Sequence, residues 1–250
     1  MIPKVIHYCW FGGKPLPPLA KKCLKSWKKY CPDYEIRRWD ESSFDINICR
    51  YVKEAYEAKK YAFVTDFVRL WALVKFGGIY MDTDVEVLKS LDPILQYQAV
   101  SGFEKLNIIP TGLMACEKGF PLFEEFLRDY DNLPFLLPDG KQDLTPNVIR
   151  MTNICLKHGL IADNTEQTVN GFKLFPMEYF CPVTYNGNAG GITKNTFTIH
   201  HFMSSWCKTS PRWRIYLFMT RFLGAKNTLF IKNQWSKVKH HLMGAPKTKW

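Results

Sequence analysis

The sequence has no run of about 20 nearly uncharged apolar residues, so no segment reads as a membrane-spanning helix. It has no Asn-x-Ser/Thr acceptor. Its opening, MIPKVIHYCWFGG, interrupts a short apolar stretch at His7 and offers no small-residue cleavage site, so neither a signal peptide nor a secretory route is expected. No two of the eight cysteines (9, 23, 31, 49, 116, 155, 181 and 207) are spaced as Cys-x-x-Cys. That excludes a zinc ribbon and a thioredoxin-like motif and fits a reduced, cytoplasmic compartment. Gly-x-Gly-x-x-Gly and Walker A sequences are missing too, which removes dinucleotide oxidoreductases and P-loop ATPases. There is no internal repeat and no low-complexity tract.

Carboxylates are missing from the end of the chain, since Glu178 is the last acidic side chain. Residues 1–178 hold 23 Lys+Arg and 23 Asp+Glu, and residues 179–250 hold the remaining 11 basic residues of a net +11. Such one-sided charge points to an anionic partner surface. From about Lys208 two amphipathic helical patterns follow, Ile215, Phe218, Met219 and Phe222, then Ile231, Trp235, Val238 and Leu242. They read either as an interfacial helix pair on an anionic membrane or as helices packed on the domain with solvated charges. No nucleic-acid module accompanies the charge, so nucleic acid is not expected as a partner.

What is present is α/β grammar in a length suited to one domain. Lys4 to Tyr8 reads as a buried strand, Pro18 to Tyr30 as a helix and Tyr34 to Trp39 as a strand. Cys49 to Lys59 and Tyr61 to Phe76 read as helices, the second closed by Gly77-Gly78, and Ile79 to Val87 as a strand. Phe120 to Tyr130 is expected to be helical. So is Pro146 to His158, with Thr145 as N-cap and Gly159 as stop. Phe172 to Phe175 and Thr196 to Phe202 are expected late strands.

In Ile79-Tyr80-Met81-Asp82-Thr83-Asp84, alternation sends Tyr80, Asp82 and Asp84 to one face. Adjacent carboxylates repel unless a cation or donors compensate, and Mn²⁺ or Mg²⁺ held by one or two carboxylates completes its shell with water and phosphate oxygens. A diphosphate leaving group needs such a partner. An EF-hand is excluded, because Val87 and Pro93 stand where glycine and glutamate are required. Asp66 and Arg69, three apart on the preceding helix, sit among Phe63, Val64, Phe67, Val68, Leu70 and Trp71, and polar side chains in so apolar a helix line a site. A metal-dependent phosphodiester enzyme and a non-catalytic surface-binding protein are the competing classes.

IPKVIHYCWFGG, AFVTDFVRLWALVKFGGIYMDTDV and HHFMSSW together resemble glycosyltransferase family 32, the DXD-motif sugar transferases, which include capsular polysaccharide enzymes. The resemblance brackets residues 1–207. It implies a GT-A-type, Rossmann-like nucleotide-sugar transferase domain there; the charge and periodicity described above make 208–250 a basic amphipathic helical tail. It further implies a retaining hexosyltransferase that uses a nucleotide sugar, a UDP-sugar by expectation, and an oligosaccharide or lipid-linked saccharide acceptor. The setting would be surface-polysaccharide synthesis at the inner face of the membrane. Position by position, Trp10 would stack on the base, Tyr80 would position the nucleotide, and Asp66 and Arg69 would hold donor sugar and phosphate. Asp84 would be the direct metal ligand and Asp82 would touch ribose or sugar and the metal shell. Ser204 and Trp206 would belong to a loop closing over the diphosphate. One of His200 and His201 would add a metal contact, with His201 preferred. Thr111-Gly112-Leu113-Met114 departs from the pattern, where relatives carry an asparagine near the sugar, and leaves donor identity open.

Overall fold

The computed structural model describes residues 1–104, 107–182 and 191–202. Its opening is the expected β-α-β unit. β1 (Val5–Cys9) leads through α1 (Pro18–Tyr30) to β2 (Glu35–Trp39), and the two strands pair in parallel, Val5 opposite Glu35 and Cys9 opposite Trp39. Helix α1 starts at a proline, whose fixed φ suits a first helical position, and buries Ala20, Cys23 and Trp27.

Two further helices, α2 (Arg50–Glu57) and α3 (Tyr61–Phe76), carry the chain to β3 (Gly78–Met81), which flanks β1 on the side away from β2. β1 and β3 are parallel, with Ile6 opposite Ile79 and His7 opposite Tyr80. The chain therefore leaves β1 in one direction and returns on the other. Such a switch point opens a crevice outside the carboxyl ends of the two strands. Trp10 and Asp82, the residues that follow β1 and β3, both emerge there.

The α3-to-β3 turn depends on glycine. Gly78 has φ +102°, and a Cβ on it would lie 2.6 Å from the Val5 carbonyl oxygen. Buried His7 braces the same turn. Its Nε2 is 2.9 Å from the Gly77 carbonyl oxygen, and its Nδ1 lies 3.2 Å from the Trp39 indole nitrogen, so the tautomer protonated on Nε2 satisfies both. Burial pushes this imidazole down to about 4, which makes it a neutral structural post.

β4 (Val85–Val87) follows, then β5 (Ala99–Gly102), β6 (Leu113–Cys116), α4 (Pro121–Arg128), α5 (Asn147–Lys157), β7 (Gln167–Val169), β8 (Phe172–Phe175) and β9 (Thr198–His200). The main sheet runs β2-β1-β3-β6-β5-β8-β7, parallel at β2-β1-β3 and β5-β8 and antiparallel elsewhere, while β4 and β9 form a separate antiparallel pair. The α/β class is as expected. Period-two alternation serves two cores: Tyr80, Met114 and Ala99 face the α2–α5 side, whereas Ile79, Met81, Leu113 and Val100 face the side covered by Trp27 of α1.

Several boundaries differ from the sequence reading. The strand expected over 79–87 is broken between β3 and β4, and the late strand shrinks from 196–202 to Thr198–His200. Helix α5 starts at Asn147, so Pro146 and not Thr145 is its N-cap. The Asn147 N–H is bonded instead by the Asp66 carboxylate at 3.2 Å, a cap supplied from another helix. Strands β5, β6 and β7 were not expected; they are three or four residues long, and β5 and β6 are buried on both faces, which erases alternation. Among the described residues no helix is long and apolar enough to cross a membrane, and the seven described cysteines are unpaired. Ser204, Trp206, the boundary at 207/208 and both tail helices lie outside the described residues.

Candidate active site

The Asp82-Thr83-Asp84 segment is a turn at the end of β3. The Asp82 N–H still donates to the Gly112 carbonyl at 2.8 Å, extending the β3–β6 ladder by one residue, and the Val85 N–H then donates back to the Asp82 carbonyl at 3.0 Å. Val85 opens β4, where it pairs with His200.

That turn decides which histidine meets the aspartates. An unbroken strand would put Asp84 on the face of Glu86, together with His201. The turn rotates Asp84 away. His200 Nε2 is 3.3 Å from Asp84 Oδ1 and 4.0 Å from Asp82 Oδ2, whereas His201 Nε2 is 2.8 Å from Glu86 Oε2. Glu86 also accepts from Lys22 Nζ at 2.8 Å. The structure therefore places His200, and not the preferred His201, beside the two aspartates. Gly112 makes room for it, since a Cβ there would come within 2.7 Å of His200 Cε1. Burial opposes charge on the His200 ring, but the Asp84 carboxylate outweighs it and raises the imidazole well above its usual range.

Beside this trio lies a buried guanidinium. Arg69 Nη2 is 3.2 Å from Asp66 Oδ1 and 3.5 Å from Asp82 Oδ1, Nη1 donates to the Thr111 carbonyl at 2.8 Å, and the group lies 4.8 Å from the centre of the Tyr80 ring. The Tyr80 hydroxyl donates to Asp82 Oδ1 at 2.7 Å. The nearby carboxylates offset the burial penalty and hold Arg69 charged, its pKa raised. Burial pushes the Asp66 carboxyl up to about 6, even though Arg69 and the Asn147 N–H pull it down.

The structure thus gathers Asp66, Arg69, Tyr80, Asp82 and Asp84, as the sequence implied. Tyr80 is 1% exposed and touches the site through its hydroxyl on Asp82 and its ring beneath Arg69. Trp10 is half-buried just beyond β1, its indole N–H bonded to the Lys14 carbonyl at 2.5 Å. Sequence reasoning missed the supports: the Thr111 carbonyl, the space at Gly112, the Asn147 N–H, and the buried Cys9 thiol, which lies within the fields of Arg69 and Asp82. Gly112 carried a signal, a glycine directly before an apolar strand. A backbone carbonyl carries none.

Asp82, Asp84 and His200 each offer one ligand atom, all within 4.8 Å of one another. Two carboxylates and an imidazole form an oxygen and nitrogen donor set that suits Mn²⁺ or Mg²⁺. The residues fit such an ion.

Parts of this sequence are similar to known proteins. Residues 17–101 match the glycosyltransferase sugar-binding region containing the DXD motif. The chain is 33% identical over 142 residues to inositol phosphoceramide mannosyltransferase 3 of Schizosaccharomyces pombe, covering 54% of this chain and 38% of that protein. It is 30% identical over 108 residues to mannosyl phosphorylinositol ceramide synthase of Saccharomyces cerevisiae, covering 40% and 27%. Against an uncharacterized glycosyltransferase of Acanthamoeba polyphaga mimivirus the identity is 26% over 262 residues, covering 95% and 100%. The chain spans well under half the length of the two yeast relatives. Among solved structures, a galactosyltransferase in complex with donor and acceptor sugar analogues has 15% identity and a TM-score of 0.42, covering 97% of this chain and 98% of that one. The apo-form glycosyltransferase GlyE of Streptococcus pneumoniae has 9% identity and a TM-score of 0.48, covering 96% and 64%. Scores below 0.5 leave the fold to be judged on its own sheet order.

These likenesses are all to glycosyltransferases and their sugar-binding region. The matched stretch of this chain, residues 17–101, contains Asp66, Arg69, Tyr80, Asp82 and Asp84.

The two histidines should separate in a metal titration. His200→Ala is expected to weaken Mn²⁺ binding by roughly 10- to 100-fold, and His201→Ala to leave it within about threefold. Electron paramagnetic resonance of free Mn²⁺ measures both; the reverse order would restore His201.

Proposed function

We propose that the chain is a GT-A-type, metal-dependent hexosyltransferase that moves a sugar from a nucleotide sugar, a UDP-sugar in the first instance, to a saccharide acceptor with retention of configuration. The observation that carries the reading is the meeting of Asp82, Asp84 and His200 beside the Asp66–Arg69 pair at the open ends of β1 and β3. Mannosyltransferase names among the yeast relatives favour a hexose.

In this reading Asp84, Asp82 and His200 would hold Mn²⁺ or Mg²⁺, which supplies charge stabilisation to a diphosphate leaving group. Arg69 presents its guanidinium to the phosphate as negative charge develops there. Asp66, fixed by Asn147, accepts from donor-sugar hydroxyls, and Trp10 offers its face to the base. Tyr80 holds Asp82 in place from below. Ser204 and Trp206, which lie outside the described residues, would by the family resemblance belong to a loop that limits donor hydrolysis. The departing phosphate accepts the acceptor's proton on the same face, so no separate base is required.

Synthesis of capsular or other surface polysaccharide, on a lipid-linked acceptor at the cytoplasmic leaflet, is the proposed setting. The tail over 208–250, rich in Lys and Arg and free of carboxylates, would contact that leaflet as a unit separate from the catalytic domain over 1–207. Liposome flotation with anionic lipid should retain the full chain more strongly than a chain ending at Cys207. Equal flotation would contradict the tail's role.

A screen of nucleotide sugars for Mn²⁺-dependent donor hydrolysis tests the catalytic reading. At least one hexose nucleotide should turn over, and Asp84→Ala should lower kcat by about 100-fold or more. Turnover unaffected by the substitution would overturn the assignment.

A further inference from the structure

Helix α1 carries Lys21, Lys22, Lys25, Lys28 and Lys29 and no acidic residue among its 13 positions. At 3.6 residues per turn, Lys21, Lys25 and Lys28 form one row and Lys22 and Lys29 a second beside it. Ala20, Cys23 and Trp27 project into the core on the opposite side, and all five lysines are exposed. Lys22 is neutralised by Glu86 at 2.8 Å. Among the described residues Lys21, Lys25, Lys28 and Lys29 have no carboxylate partner, and the rest of the chain has no Asp or Glu side chain to offer them.

A solvated face normally mixes signs, and this one does not. Five of the 23 basic residues in 1–178 lie on α1, so the other 18 share that stretch with 23 carboxylates. Positive charge is concentrated on one helix of a body that is otherwise net acidic.

We infer that the lysine face of α1 is a docking surface for an anionic phospholipid bilayer. The 13-residue helix is about 20 Å long, a footprint that spans several headgroups. Its charges are ammonium groups on flexible stems, with no arginine fork, and its one half-buried tyrosine, Tyr30, already lies 4.7 Å from Lys29 Nζ. That chemistry matches laterally mobile phosphates better than a nucleic acid. No large apolar side chain of α1 is exposed, so the contact is electrostatic and does not insert. The helix is firmly seated, since the Trp27 indole donates to the Val85 carbonyl at 2.7 Å and Ser26 Oγ accepts the Val87 N–H at 2.9 Å. β4, thus held, pairs with β9, from which the chain continues into its basic segment. The inference stands independently of the transferase reading.

Flotation of the full chain on vesicles of phosphatidylcholine, and of phosphatidylcholine with phosphatidylglycerol, tests it. The proteins are wild type, a variant with Lys21→Gln, Lys25→Gln, Lys28→Gln and Lys29→Gln, and a control with Lys53→Gln, Lys59→Gln, Lys118→Gln and Lys157→Gln. The two variants lose the same charge and keep the basic segment. Wild type should bind only the anionic vesicles and be released by salt. The α1 variant should lose roughly tenfold or more in partitioning and the control about twofold or less, with melting temperatures alike. The inference is overturned if wild type fails to bind, binds neutral vesicles equally, or is matched by the α1 variant, or if the control loses as much. Tighter binding of wild type to single-stranded RNA than to vesicles at equal phosphate concentration would reassign the face to nucleic acid.

Discussion

The site is organised around one buried cation. The Arg69 guanidinium, 5% exposed, bonds a carboxylate on its own helix, a carboxylate at the end of β3 and the carbonyl that leads into β6. A buried charge is tolerated only where partners surround it, and removing one partner leaves the other charge uncompensated at a cost of about 3–5 kcal/mol. Arg69 therefore fixes the positions of Asp66, Asp82 and Thr111 relative to one another before any substrate arrives. The apolar helix α3 delivers it there, with Phe63, Val64, Phe67, Val68 and Leu70 buried around the polar pair.

The balance of charge explains the ligand that such a site would draw. Three carboxylates, Asp66, Asp82 and Asp84, face one guanidinium and one histidine. Burial pushes Asp66 toward its neutral form, while Arg69 and the Asn147 N–H favour its charged form. A divalent ion would relieve the pair at the turn, and a diphosphate would bring its own negative charge to Arg69 and that ion together. Sugar hydroxyls would then meet Asp66, whose geometry is fixed by the first turn of α5.

Much of this was legible in the sequence because local patterns sufficed. The Tyr61–Phe76 helix, its glycine stop and the strand start depend on residues within one or two turns, and Asp66, Arg69, Tyr80, Asp82 and Asp84 follow from them. The sequence favoured the other histidine for a physical reason. Strand parity is a local rule, and it fails where the Val85-to-Asp82 hydrogen bond inserts a turn. Strands β5 and β6 were hidden because both their faces are buried, and the N-cap of α5 because its partner comes from 81 residues away. Gly112 shows the general case, since its value lies in the room it leaves for a side chain distant in sequence.

The central claim is that Asp82, Asp84 and His200 form one metal site at the mouth of the β1–β3 crevice. The most direct measurement is the anomalous diffraction signal of Mn²⁺ in crystals grown with a nucleoside diphosphate. A peak within bonding distance of an Asp84 carboxylate oxygen and His200 Nε2, with diphosphate oxygens completing its shell beside Arg69, is the expected result. A bound nucleotide with no peak between Asp84 and His200, or a peak at His201 and Glu86, would contradict the account.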